Sequence, residues 1–96
     1  MNRDIKWFKQ HIHQLMGGYA VSFKSFLNGD FGDIERVDFK NKKLGGSIDF
    51  WSSGWLGIYV YSYEKEKELF NILLETDENL KKEEAFKYFE KLILTK

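Results

Sequence analysis

Residues 48–63, Ile48-Asp49-Phe50-Trp51-Ser52-Ser53-Gly54-Trp55-Leu56-Gly57-Ile58-Tyr59-Val60-Tyr61-Ser62-Tyr63, set two tryptophans, three tyrosines and a phenylalanine around a central Ser-Ser-Gly. Aromatic and β-branched residues favour a pleated, half-buried surface, and Ser-Ser-Gly is a turn signal, so the stretch reads as a β-hairpin. Its first strand extends back to Leu44, with Leu44, Gly46, Ile48 and Phe50 on one face and Gly45, Ser47, Asp49 and Trp51 on the other. The second, Trp55 to Tyr63, divides the same way: Leu56, Ile58 and Val60 oppose Trp55, Gly57, Tyr59, Tyr61 and Tyr63. One face is aliphatic and belongs against helices; the other is aromatic and is left partly exposed.

Working toward the N-terminus, Asn41-Lys42-Lys43 reads as a short loop back to a strand at Ile34–Lys40, with Val37 and Phe39 facing inward. A loop rich in Asn, Asp and Gly (Asn28–Asp33) precedes it, and the alternation of Tyr19, Val21 and Phe23 with Ala20, Ser22 and Lys24 marks a further strand to Leu27. Residues 3–16 carry Ile5, Phe8, Ile12, Leu15 and Met16 at helical spacing, with Asn2 or Asp4 as a cap and Gly17-Gly18 as a left-handed stop. Toward the C-terminus, Glu64–Glu68 reads as a charged turn. Leu69–Leu74 fits a strand or one and a half turns of helix, and the strand reading continues the meander. Leu80–Leu94 is a helix with Ala85, Phe86, Phe89, Leu92 and Ile93 on its apolar stripe, Lys81, Lys82 and Glu83 elsewhere, and Asp77 or Asn79 as caps. The expected fold is α+β: an antiparallel four- to five-stranded meander sheet with an N-terminal and a C-terminal helix packed on one face, forming a single domain over 1–96.

Composition narrows the function. Fifteen Lys and Arg balance fifteen Asp and Glu, so no net charge draws the chain to nucleic acid or anionic lipid, and a protein partner is favoured. There is no cysteine, which removes disulfides, thiolate metal sites and cysteine nucleophiles. The charged N-terminal segment and the lack of a long apolar run argue for a cytoplasmic protein.

Few motifs carry chemistry. Asp30-Phe31-Gly32 spells the kinase metal-binding triplet without the upstream loops a kinase needs. Asp30, Asp33, Glu35 and Asp38 crowd four carboxylates together but lack the ligand ladder of a calcium loop, leaving a solvated acidic edge or a surface for a basic partner. His11 and His13, two apart on a helix, point about 200° apart and cannot share a metal. Ser52-Ser53-Gly54 lacks the pattern of a nucleophile elbow. No catalytic, cofactor-binding or metal residue is indicated. The aromatic row Trp51, Trp55, Tyr59, Tyr61 and Tyr63 fits cross-strand stiffening, a protein-binding surface or a base-stacking platform; no Lys or Arg lies between Leu44 and Glu64, which favours protein over nucleic acid.

Three segments, Ile34-Glu35-Arg36-Val37-Asp38-Phe39, Gly46 to Ile58 and Leu69-Phe70-Asn71-Ile72-Leu73-Leu74-Glu75, followed by a charged helix, resemble the small immunity proteins of bacterial contact-dependent growth inhibition and polymorphic-toxin loci. The resemblance implies a non-enzymatic cytoplasmic protein that binds a cognate toxin domain, often a nuclease, and blocks its active site or substrate access. Nuclease inhibitors of this kind are often acidic, whereas this chain is neutral. On that reading Trp51, Trp55, Tyr59 and Tyr61 are anchors, and Asp30, Asp33, Glu35 and Asp49 complement a basic cleft. The competing reading is a small enzyme or ligand-binding module with a pocket between sheet and helices, lined by His11, Asp49 or Tyr59.

Overall fold

The computed structural model describes residues 3–30 and 32–94. A short helix α1 (Ile5–His11) continues into a 3₁₀ turn (His13–Leu15). Five strands follow, β1 (Ala20–Gly29), β2 (Gly32–Lys40), β3 (Leu44–Trp51), β4 (Leu56–Ser62) and β5 (Lys67–Leu74), and then helix α2 (Asn79–Leu94). The strands form one antiparallel sheet in the order β1-β2-β3-β4-β5, so every strand pairs with its neighbour in sequence. The meander therefore includes Leu69–Leu74 as a strand, begun two residues early at Lys67.

Both helices lie on one face, where period-two burial in the sheet meets helical periodicity. β4 alternates buried and half-buried residues along its whole length. Its inward Leu56, Ile58 and Val60, with Val37, Phe39, Ile48, Phe50 and Leu74, form one core with Phe8, Ile12 and Met16 of the N-terminal segment and Ala85, Phe86, Phe89 and Ile93 of α2. Aromatic edges interlock in this core: Phe39 of the sheet meets Phe89 at 5.4 Å and 82°, and Trp7 of α1 meets Phe86 of α2 at 4.8 Å and 60°. A fully buried side chain of this size contributes about 1.5–3 kcal/mol through area removed from water, so these clusters decide which face the helices cover.

Asp4 caps α1, its carboxylate accepting the Trp7 N–H at 2.9 Å. Asn2, the other candidate cap, and Phe31 of the first hairpin lie outside the described residues. The α1 stop differs from the glycine mechanism read in the sequence. Gly17 and Gly18 do not have positive φ; the helix ends at Ile12, and the chain tightens to a 3₁₀ turn closed by Met16 N–H donating to the His13 carbonyl (3.0 Å). The glycines simply follow that turn. Left-handed glycine is used instead at Gly32 and Gly54, both at φ +102°. At Gly54 it completes a tight β3–β4 turn, with Gly54 N–H donating to the Trp51 carbonyl (2.9 Å) and Trp51 N–H to the Trp55 carbonyl (3.1 Å).

Candidate functional site

Among the described residues no element covers the face of the sheet opposite the helices, and its residues follow from the register. Successive cross-strand rows read Phe26, Ile34, Trp51; then Lys24, Arg36, Asp49, Gly57, Leu73; then Ser22, Asp38, Ser47, Tyr59, Asn71; then Ala20, Lys40, Gly45, Tyr61, Glu68. The β1–β2 half is charged and the β3–β5 half is aromatic.

Two glycines make the aromatic half. A Cβ on Gly57 would lie 3.3 Å from Cζ3 of Trp51, and one on Gly45 would strike the hydroxyl and ring of Tyr63. Each indole or phenol therefore lies over the bare backbone of a neighbouring strand, which supplies a flat support that a side chain would occupy. Tyr61 and Tyr63 add a ring contact at 5.7 Å. Trp51, Tyr59 and Tyr61 are half-buried in this layer, whereas Tyr63 and Leu73 are exposed.

Charge pairs hold the other half. Arg36 donates to Asp49 through Nε (2.6 Å) and an Nη (3.0 Å), a bidentate fork that fixes both side chains. That hydrogen bond raises the Arg36 pKa above its ordinary value, outweighing desolvation, with the Asp49 and Asp38 charges adding to the rise. The Arg36 guanidinium also lies 5.1 Å from the Phe26 ring, and Lys24 pairs with Asp38 at 3.2 Å. β1 and β2 thus bring cations beside an aromatic strip whose β3 and β4 strands contain none.

The predicted binding residues fall into two neighbourhoods that meet at Trp51. Tyr59, Tyr61 and Asp49 belong to the open face, and Asp49 is committed to Arg36. Trp51, Trp55, Asp33 and Glu35 line a cleft of about 500 Å³ at the end of the sheet, with Arg3, Asp4, Asn79 and Lys82 opposite. Asp30 is exposed at the first hairpin's tip. Asp38 leaves the acidic cluster for the open face, because alternation sends it and Glu35 to opposite sides. Neither histidine lines the cleft: His11 binds the Trp7 carbonyl through Nδ1 (3.1 Å), and His13 packs between Phe8 (6.5 Å) and Phe23 (5.3 Å). Asp49 and Tyr59, the other polar groups read for a pocket, are also absent from its lining.

One residue of the cleft reverses its sequence placement. Lys82 is only 6 % exposed, and its Nζ donates to the carbonyls of Gly54 (2.6 Å) and Thr76 (3.0 Å). Desolvation pushes its pKa below the usual lysine value, opposed by the charges of Asp77 and Glu78. Thr76 Oγ1 donates to the Ser53 carbonyl (2.7 Å), so the β3–β4 turn is clamped to the start of α2 at two successive carbonyls. The missed signal is spacing: Lys82 stands three, four and seven residues before Ala85, Phe86 and Phe89, on the apolar stripe.

Among the described residues no group of three or more His, Cys, Asp or Glu is arranged to hold a metal, and no helix is long and apolar enough to cross a membrane. The fold and site define the protein as an α+β meander with one helix-covered and one open sheet face. No family model, no curated protein and no solved structure matches the chain significantly.

Proposed function

We propose that this chain is an immunity-type inhibitor, which binds a cognate toxin domain through the open sheet face and blocks that domain's active site or substrate access. The observation that carries the reading is the aromatic strip of Trp51, Tyr59 and Tyr61, left uncovered by the helices and bordered by the Arg36–Asp49 fork. Tyrosine and tryptophan supply large contact area with few rotors to freeze, which is why they dominate binding hot spots. The resemblance of residues 34–75 to immunity proteins supplies the class of partner, a toxin domain and in particular a nuclease. Binding alone accomplishes such inhibition, so no catalytic group is required of this chain. The cytoplasm, where the toxin would act, is the compartment that fits this role.

The test is co-expression with the toxic C-terminal domain encoded by the neighbouring reading frame. The native chain should protect cells and co-purify with that domain. Tyr59→Ala combined with Tyr61→Ala should lose protection while keeping a native circular dichroism spectrum. Full protection by a folded double variant would remove the interface from this face, and failure of the native chain to bind or protect would end the inhibitor reading.

A further inference from the structure

The outer edge of the sheet carries an inference independent of the toxin reading. Backbone groups along an antiparallel strand point alternately to its two neighbours, so one known bond fixes the whole pattern. Asn41 N–H donates to the Leu44 carbonyl (2.8 Å), and Ser52 N–H to the Asp33 carbonyl (2.8 Å). Odd-numbered residues of β2 therefore bond to β3, and its even-numbered residues bond to β1. Lys40, Asp38, Arg36 and Ile34 stand opposite Ala20, Ser22, Lys24 and Phe26. It follows that Val21, Phe23 and Ser25 direct both N–H and C=O outward from β1, away from the sheet.

Natural edge strands are blunted by charge, proline, bulges or shortness. β1 runs ten residues, its pairing is regular from Ala20 to Phe26, and the chain has no proline. Its one charge, Lys24, is drawn onto Asp38 of β2. Phe23, Phe26 and Leu27 are 40, 42 and 72 % exposed. The β1–β2 ladder shifts register only past Phe26, toward the hairpin end, whereas at the opposite edge β5 opens on Lys67-Glu68 and shifts register against β4 between Val60 and Tyr61.

The outward groups are also symmetric about Phe23. We propose that β1 pairs with β1 of a second copy of this chain, antiparallel and with Phe23 on the two-fold axis. Phe23 then bonds to Phe23 of the copy, and Val21 to Ser25 on either side, closing about six main-chain hydrogen bonds. Between them Ser22 faces Lys24 and Ala20 faces Phe26. Moving the axis one residue to Lys24 would set two lysines directly opposite, which is destabilising. Opposed residues in an antiparallel ladder share a face, so both helix layers lie on one side of a ten-stranded sheet and both aromatic strips on the other. The exposed Lys9, whose ammonium lies 4.8 Å over the Phe23 ring, remains on the helix side.

Sedimentation equilibrium from low micromolar to near-millimolar concentration tests the pairing. The mass should rise to twice 11.5 kDa and stop there. Ser25→Pro removes an outward N–H without touching the β2 ladder, so it should halve the mass at high concentration with an unchanged circular dichroism spectrum. Phe23→Lys, which puts like charges on the axis, should do the same if the proline variant fails to fold. The chain has no cysteine, so single thiols report register. Phe23→Cys should form an intermolecular disulfide several-fold faster than Ser25→Cys, since residues on the axis approach to about 5.5 Å between Cα atoms. A monomer at every concentration, growth beyond the dimer, or faster crosslinking at position 25 would each overturn the proposal.

Discussion

Lys82→Met separates a tether from a lysine that merely lies on a helix. Methionine keeps the stem that fills the gap between α2 and the β3–β4 turn, and removes the ammonium bonded to the Gly54 and Thr76 carbonyls. Hydrogen bonds to charged groups contribute about 1.5–3 kcal/mol each, giving about 3–6 kcal/mol for the pair before desolvation of the ammonium is subtracted. Desolvation of the ammonium, the main cause that lowers the Lys82 pKa, offsets part of this gain. A net loss of about 2–3 kcal/mol is expected, or about 8–24 °C in Tm for a domain of this size. Urea titration and thermal melts followed by circular dichroism measure it. Lys81→Met is the control, because Lys81 makes only an exposed pair with Glu78 and should change stability by less than about 0.5 kcal/mol. Hydrogen exchange should also accelerate at Gly54, whose turn loses its clamp. A Lys82→Met protein as stable as the native one would refute the reasoning, since burying methylenes would then outweigh both carbonyl bonds.

Two other perturbations follow. Tyr19 donates its hydroxyl to the Ile93 carbonyl (2.9 Å), pinning the start of β1 to the end of α2, and Tyr19→Phe should cost about 1 kcal/mol in urea titrations. Burial raises the Tyr19 pKa, with a hydrogen bond to Asn41 opposing, so the native state holds its proton more tightly than the unfolded chain. Its contribution is therefore complete below pH 10 and is lost as pH rises through the elevated folded value, a dependence that Tyr19→Phe should flatten. Gly46→Ala places a Cβ against the backbone carbonyl of Tyr59, with Phe39 at 3.0 Å behind, and should prevent folding or cost more than about 3 kcal/mol. Gly57→Ala meets only the movable edge of Trp51 at 3.3 Å, and its chief effect should be a shifted tryptophan emission. Equal stability losses at the two positions would contradict these contacts.

β2, β3, β4 and α2 were legible because their periodicity is strong, whereas Leu69–Leu74 is too short for periodicity to decide and reads as a strand because it continues the meander. β3 has the bounds read from the sequence, and both faces of the β3–β4 pair sort as alternation requires. The end of α1 was not legible, since 3₁₀ and α turns share nearly the same apolar spacing over so few residues. The partner of Asp49 was hidden for a different reason. Arg36 reaches it only through the β2–β3 register, set by the hydrogen bonds that the Asn41 carboxamide accepts from Lys43 and Leu44 N–H (both 2.8 Å). Lys82 illustrates a third failure: residue type suggested solvent while position specified the core, and position prevailed because two carbonyls were waiting.

The strictly sequential strand order also sets a timetable. Each hairpin closes over a short stretch of chain, so the sheet has the local pairing that favours fast folding. The helical layer has no such advantage. Trp7 of α1 rests against Phe86 of α2 and Phe8 against Phe50 of β3, so α1 finds part of its packing only after α2 exists. During synthesis the five strands are complete while Val37, Ile48, Ile58 and Val60 still lack the part of the core that α2 supplies. The interval from the end of β5 to the completion of α2 is thus the period of greatest exposure to aggregation and chaperone capture, and its length is set by the connection at 75–78 and the sixteen residues of one helix.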